Sequence, residues 1–391
     1  MHRDYRGAAG SYNQGQVQNQ PSPSSLSLRA PSWAQILRRS ADNTAPAALP
    51  EVEGRCVLVT GAGGFIGAEM VRRMAAAGAE RLVLLDIAEQ QLFAVHAEME
   101  ARGDGERCVA VLGSVCDRGL INSLFREWQP ELVLHAAALK HVPLMERNPL
   151  AALDANALGT WRVAEASAMH GVEGMILVST DKAVAPHSIM GASKRIAELA
   201  MLAYAQGSGM RCVAVRLANV IGSPYSVGPL FQEQIERGGP VTVTHPAARR
   251  YFLTLEEVAG LLGEAMSCDG AEGILVPDPG EPVFIENLAR RMIAASGSTA
   301  DVVFTELRPG DKLEESLTGH EEHVDGPATP GLRRVRSPGG QAIEARMQAL
   351  EKAVAARDLT AALRVVGGFV QDYQASAVVQ GSIAEFTVAR S

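Results

Sequence analysis

The chain has 391 residues, 47% hydrophobic and 20% charged, a composition that excludes a collagen, a low-complexity polymer and a wholly disordered chain. Its 36 Lys and Arg against 44 Asp and Glu give a net charge of −8, which argues against a general nucleic-acid or anionic-membrane surface, so any anion must be held locally. Five scattered cysteines without a CxxC pair indicate neither a metal site nor a disulfide framework, no apolar run approaches the roughly 20 residues of a bilayer span, and a reducing, cytoplasmic setting is expected.

Residues 1–50 are rich in Gln, Ser, Pro and Asn and read as a disordered tail. Five arginines against Asp4 and Asp42 give it a faint likeness to a transit peptide. Within it, Trp33 to Arg39 (WAQILRR) reads as part of a floppy extension, with a short helix that docks on a partner as the alternative. From Gly54 onward, β-branched runs alternate with Ala- and Leu-rich stretches, the rhythm of βαβ units. The runs are Cys56–Val59, Leu82–Leu85, Val109–Leu112, Leu132–Leu134, Met175–Val178 and Cys212–Val215. Their near-continuous hydrophobicity suits strands covered on both faces, so the expected fold is α/β, a Rossmann-type doubly wound parallel sheet over residues 51–220.

The first run enters Thr60-Gly61-Ala62-Gly63-Gly64-Phe65-Ile66-Gly67 and then a helical pattern. Glycines at such a turn let the backbone approach a pyrophosphate, which accepts bonds from amides at the positive end of the helix. Ile66 stands where a strict GxGxxG wants its third glycine. Asp86 ends the second run 19 residues after Gly67, where a carboxylate is expected to bind a ribose hydroxyl, which favours NAD while leaving NADP open.

The run Met175–Val178 ends in Ser179-Thr180-Asp181-Lys182, and ligands of open α/β sheets bind beyond the carboxyl ends of strands. Met190 and Lys194, four apart, share one face of the following helix. A thioether neither gives nor takes a proton at neutral pH, so any acid–base work falls to Asp181 and Lys182. After Val220 shorter Gly- and Pro-rich pieces predict a smaller substrate-binding part over 221–335, and residues 336–391 predict C-terminal helices and a tail, two of the helices within Gln341–Tyr373 with a turn near Arg357 and Asp358.

Several stretches in order resemble the UDP-N-acetylglucosamine 4,6-dehydratases of the polysaccharide-biosynthesis branch of extended short-chain dehydrogenases. They are TGAGGFIG (Thr60–Gly67), HAAALKHVPLM (His135–Met145), STDKAVAPHSIMGASKR (Ser179–Arg195), GGPVTVTHP (Gly238–Pro246), RYFLT (Arg250–Thr254) and LRPGDKL (Leu307–Leu313). The resemblance implies NAD held by Gly61, Gly63, Gly64, Phe65, Ile66, Gly67, Asp86, Ser114, Val115, Ala136, Ala137 and Lys194. It implies Lys182 as base at C5 of a UDP-sugar, Asp181 as acid at the C6 hydroxyl and Thr180 on the C4 oxygen. Met190 replaces the usual tyrosine, which in this family goes with retention at C5. Lys140, His141, Asn219, Arg250 and Arg308 are implied in holding the substrate, and a homo-oligomer is expected by analogy. Phe65 replaces a Ser, Ser114 an Asp, and Ser223-Pro224-Tyr225-Ser226 a Ser-Arg-Gly-Ser stretch. A 4-epimerase or 5,6-dehydratase on the same fold, and a nucleotide-bound scaffold without turnover, stay open as alternatives.

Overall fold

The six predicted strands lie side by side in one sheet, with the third at its edge and three further strands beyond the sixth. The computed structural model describes residues 33–38, 49–268, 273–329, 331–336 and 343–388; most of the expected tail, residues 1–32 and 39–48, lies outside them. In chain order come α1 (Trp33–Leu37), β1 (Cys56–Thr60), α2 (Phe65–Ala76), β2 (Arg81–Asp86), α3 (Glu89–Ala101), β3 (Cys108–Leu112), α4 (Arg118–Trp128) and β4 (Leu132–His135). Helices α5 (Val142–Arg147), α6 (Pro149–Ala152) and α7 (Gly159–Met169) lead to β5 (Gly174–Thr180), and α8 (Ile189–Ser208) leads to β6 (Arg211–Leu217). Each predicted run falls inside one of these six strands.

The remainder alternates between two bodies. Strands β7 (Asn219–Val220), β8 (Val241–Val243), β9 (Arg249–Arg250) and β10 (Phe252–Leu253), with α9 (Val227–Glu236), begin a smaller part, and α10 (Leu255–Ser267) and β11 (Gly273–Pro277) return to the large sheet. Then β12 (Val283–Phe284), α11 (Ile285–Ser296) and β13 (Val302–Phe304) complete the smaller part, and β14 (His323–Pro327) and β15 (Leu332–Arg336) join the sheet edge. Helices α12 (Ile343–Ala355), α13 (Leu359–Phe369) and α14 (Ala377–Val388) follow.

The nine-stranded sheet has the order β14-β15-β11-β6-β5-β4-β1-β2-β3 and is parallel from β3 to β11, with β15 and β14 antiparallel at the edge. The chain winds outward from β1 to β3 and then crosses back to β4, so the order reverses between β1 and β4 and a crevice opens at their carboxyl ends. Alternation splits the core: Val57, Val59, Leu82 and Leu84 pack with Met70, Met74 and Leu262 on one face, and Leu58, Val83 and Leu85 pack with Phe125, Val163 and Met201 on the other. Burying each such side chain stabilises by about 1.5–3 kcal/mol. Helix α1, in a stretch read as a floppy extension or a partner-docking helix, buries Ile36 and Leu37 in the smaller part of its own chain, beside Phe231, Val241 and Leu288. No helix among the described residues is long and apolar enough to cross a membrane, and none of them form a group of His, Cys, Asp and Glu able to hold a metal.

Candidate active site

The nucleotide end begins where β1 runs out. Gly61 has φ +70°, and a Cβ there would lie 2.6 Å from the Ala137 amide nitrogen and 2.8 Å from the Ala136 carbonyl carbon, so only glycine lets the two strand ends meet. A Cβ on Gly67 would strike the Gly61 carbonyl, which sets how closely α2 approaches the loop. Gly64 is the residue before α2, and Phe65 and Ile66 form its first turn with Gly67. Their amides face the crevice end of the sheet, where a helix N-terminus favours an anion. Asp86 accepts from the Gly63 amide at 2.9 Å and from the Ala88 amide at 2.9 Å, tying the loop to the end of β2. Ile87 and Leu112 are 71% and 58% exposed beyond that edge, an apolar flank not anticipated in the sequence.

Ser114 and Val115 are turned to structure. The Ser114 hydroxyl accepts from the Cys116 amide at 3.1 Å, and the Val115 side chain is buried against Gly159 of α7. Beneath the loop lies a buried chain that sequence reading missed. Thr60 donates to His135 Nδ1 at 2.7 Å, and His135 Nε2 meets the Thr160 hydroxyl at 3.0 Å. That hydroxyl spends its proton on the Asn156 carbonyl at 2.6 Å, so it accepts from Nε2–H and the imidazole is neutral. Burial, with Lys194 nearby, holds the His135 pKa down to about 3.

The chemical end stands on β5, paired in parallel with β4 and β6. Thr180 closes the strand and donates to Asp181 Oδ1 at 2.9 Å. Lys182 Nζ donates to the same oxygen at 2.8 Å and to Asn219 Oδ1 at 3.3 Å. Asp181 is fully buried, and its Oδ2 has no hydrogen-bond partner among the described residues. A fourth group completes the cluster: Glu315, buried, lies 4.0 Å from Lys182 Nζ and 3.4 Å from Lys312 Nζ. Burial lowers the Lys182 pKa, but Asp181 and Glu315 outweigh it and leave it above the ordinary lysine value. Lys194 is the contrast: buried and donating to the Val178 carbonyl at 2.7 Å, it is lowered to about 8 by burial. Met190 is buried in an apolar cluster with Val142, Met145 and Ile196.

A second buried network explains why Glu315 sits there. Arg216 of β6 grips Glu198 of α8 through Nε and Nη2, both at 2.9 Å, and Glu322 through Nη1 and Nη2 at 2.6 and 2.8 Å. Its Nη1 also donates to the Leu317 carbonyl at 3.0 Å, and Ser179 donates to Glu198 at 2.6 Å. Although burial works against it, Arg216 and Arg195 with the Ser179 hydroxyl hold the Glu198 carboxyl down to about 2. The segment after LRPGDKL is thereby pinned beside the end of β5.

The substrate-side residues divide. Lys140 Nζ donates to the Pro224 carbonyl at 3.4 Å, and burial lowers its pKa. The His141 ring meets Tyr225 edge-on at 6.0 Å, and burial, then Lys140 and Arg308, lowers its pKa. Arg308 pairs with Asp311 at 2.8 Å and keeps 57% of its side chain exposed. Arg250, implied in holding the substrate, has its fork on the carbonyls of Arg249 (2.7 Å), Leu313 (2.9 Å) and Lys312 (2.7 Å), where it holds the LRPGDKL turn. The structure therefore gathers Thr180, Asp181, Asn219, Arg250 and Glu315 around Lys182, and Lys140, Arg308 and Tyr225 around His141. Met190 and Val115 belong to the core.

A profile of the family described as polysaccharide biosynthesis protein matches residues 57–336. The chain belongs to this polysaccharide biosynthesis family. Among curated relatives, the probable polysaccharide biosynthesis protein EpsC of Bacillus subtilis (strain 168) is 44% identical over 280 residues, 70% of this chain and 47% of EpsC. The capsular polysaccharide biosynthesis protein CapD of Staphylococcus aureus is 42% identical over 277 residues, 70% of this chain and 46% of CapD. The chain thus spans about half the length of these two relatives. Among solved structures, Pen from Bacillus thuringiensis superposes with TM-score 0.67 at 25% identity, covering 73% of this chain and 90% of Pen. The dTDP-glucose 4,6-dehydratase DesIV of Streptomyces venezuelae, a double mutant with NAD and DAU bound, gives 0.60 at 25% identity over 67% and 88%. The UDP-glucose 4-epimerase of Thermus thermophilus, complexed with NAD, gives 0.58 at 26% over 67% and 90%. These structural neighbours are Rossmann-type enzymes of the extended short-chain dehydrogenase class, and the family member described here shares their fold.

Proposed function

We propose that this member of the family is an NAD-dependent nucleotide-sugar 4,6-dehydratase acting on UDP-N-acetylglucosamine or a related UDP-hexose. The observation that carries the reading is the Asp181–Lys182 pair at the carboxyl end of β5, 2.8 Å apart, with the buried Asp181 Oδ2 lacking a partner among the described residues. The dinucleotide fits the cradle at Gly61 and Gly67, which a Cβ would fill, and the Asp86 carboxylate beside it. When bound, it supplies a hydride acceptor for C4 of the sugar and returns that hydride at C6.

The residues account for the rest. Thr180 would hydrogen-bond the C4 oxygen, and Lys194, buried and donating to the Val178 carbonyl, would bind the nicotinamide ribose. At rest Lys182 is an ammonium and Asp181 a carboxylate. Moving one proton across their 2.8 Å hydrogen bond gives the amine and the carboxylic acid that elimination needs, with no change in the pair's net charge. Once C4 is a ketone the C5 proton is acidic. Lys182 takes it, and Asp181 protonates the C6 hydroxyl, which leaves as water; as hydride adds at C6 the Lys182 ammonium gives a proton back to C5, and the proton released from the C4 hydroxyl on its oxidation restores the pair to ammonium and carboxylate.

Two further readings have some support. The epimerase in the structural comparison favours a 4-epimerase, and the altered Pro224–Tyr225 segment leaves room for a 5,6-dehydratase. Incubation with UDP-N-acetylglucosamine followed by mass spectrometry and proton NMR separates them. A product lighter by one water with a C6 methyl group is expected. A product of unchanged mass epimeric at C4, or a dehydrated product lacking that methyl, would overturn the proposal.

A further inference from the structure

Helix α1 precedes the residues that match the family, 57–336, yet it reaches the substrate mouth. The Trp33 indole fills the space beside two glycines. Its Nε1 lies where a Cβ on Gly222 would stand, with Cδ1 3.0 Å and Cε2 3.1 Å from that position, and its Cη2 and Cζ3 lie 2.8 and 3.0 Å from a Cβ on Gly228. One ring therefore seats both ends of the segment Ser223-Pro224-Tyr225-Ser226. That segment is a tight turn, closed by Ser226 N–H donating to the Ser223 carbonyl at 3.0 Å. Tyr225 takes φ +60° in it, a left-handed conformation that costs a non-glycine residue free energy and needs external support. The turn faces the mouth through two contacts, the Pro224 carbonyl on Lys140 and the Tyr225 ring on His141. Behind the indole, Ile36 and Leu37 are buried with Ile221, Phe231 and Ile285, and Arg291 donates to the Ile36 carbonyl at 3.3 Å.

We propose that Trp33 is a positioning residue for substrate binding, its ring fixing the 223–226 turn so that Lys140 and His141 are set where the sugar nucleotide enters. The ligand named here rests on the functional reading above; the seating of the turn does not. Trp33 packs on Gly222 and Gly228 of the smaller part, so its loss should separate the two binding steps.

Calorimetric titration of the full chain with UDP, and separately with NAD, tests this. Trp33→Ala is expected to weaken UDP binding at least about tenfold, a loss of about 1.4 kcal/mol, while NAD affinity stays within twofold of wild type. Trp33→Phe, which keeps a ring on the glycines, is expected to recover most of the UDP affinity. Gly228 lies in α9, where alanine is ordinarily the better helix former. Gly228→Ala is nevertheless expected to weaken UDP as Trp33→Ala does, and the double variant to bind no worse than either single one. Wild-type UDP affinity in Trp33→Ala overturns the proposal, as does an equal fall of UDP and NAD affinity in Trp33→Phe. A wild-type chain that binds NAD but no UDP overturns the sugar-nucleotide reading itself, and with it the ligand named here.

Discussion

Lys182 stands between two buried carboxylates, Asp181 at 2.8 Å and Glu315 at 4.0 Å, with Arg250 as the opposing cation and Lys312 sharing Glu315. Asp181→Asn keeps the shape but removes the acid, so turnover is predicted to fall at least about 100-fold with NAD affinity retained, measured by product formation and titration. Glu315→Gln removes one of the two charges that raise the Lys182 pKa, so the ammonium should lose its proton at lower pH. Competitive acylation across a pH series, read on the Lys182 peptide by mass spectrometry, should give a lower midpoint than wild type, and an unmoved midpoint would contradict that role. His135 gives a stability test. Its folded pKa of about 3 lies below the ordinary 6.5, so the unfolded chain binds the extra proton first and stability is lost as pH falls from about 6.5 toward 3. The drop in Tm between pH 7 and about 5 should be smaller in His135→Gln than in wild type. The glycines, Asp86 and the Thr180–Lys182 run were legible because each has a local spacing. Glu315, His135 and Arg216 were not, since their partners are brought together by the sheet and share no sequence period.

Among the elements, β1, β2, β4, β5 and β6 were readable because burial on both faces leaves near-continuous apolar runs, and β3, at the edge and only partly buried, was readable from its apolar run alone. Strands β14 and β15 escaped notice for the opposite reason: β14, at the edge, is largely exposed, and β15 beside it interrupts its buried Leu332 and Val335 with Arg333, Arg334 and Arg336. The C-terminal pair was anticipated, with its turn at Arg357 (φ +52°) and Asp358, which caps α13 through the Ala361 amide at 3.0 Å. Met347, Leu350, Ala362 and Val366 of α12 and α13 cover Trp161, Ile196 and Leu199 of α7 and α8, and Glu351 bonds Arg162 at 3.0 Å. Truncation after residue 342 is predicted to bare this apolar face. Its checks are a lowered Tm and an increase in aggregation by light scattering, and a truncated chain with the wild-type melting curve would contradict the packing account.

At the scale of the whole molecule the net charge is −8, yet Lys140 and Arg308 lie near His141 and Arg250 lies near Lys182, so positive charge is gathered locally at the candidate site. The sheet reversal between β1 and β4 opens the crevice, the Arg216 network fixes the segment carrying Glu315, and α1 and Arg250 hold the two loops on the far side. The central claim is that Lys182 handles the C5 proton. Run the reaction on UDP-N-acetylglucosamine in deuterium oxide and read C5 by NMR in wild type and in Lys182→Ala. Deuterium at C5 of the wild-type product, with none entering C5 in Lys182→Ala although that variant still binds NAD, is the predicted result. Undiminished exchange at C5 in Lys182→Ala would contradict it.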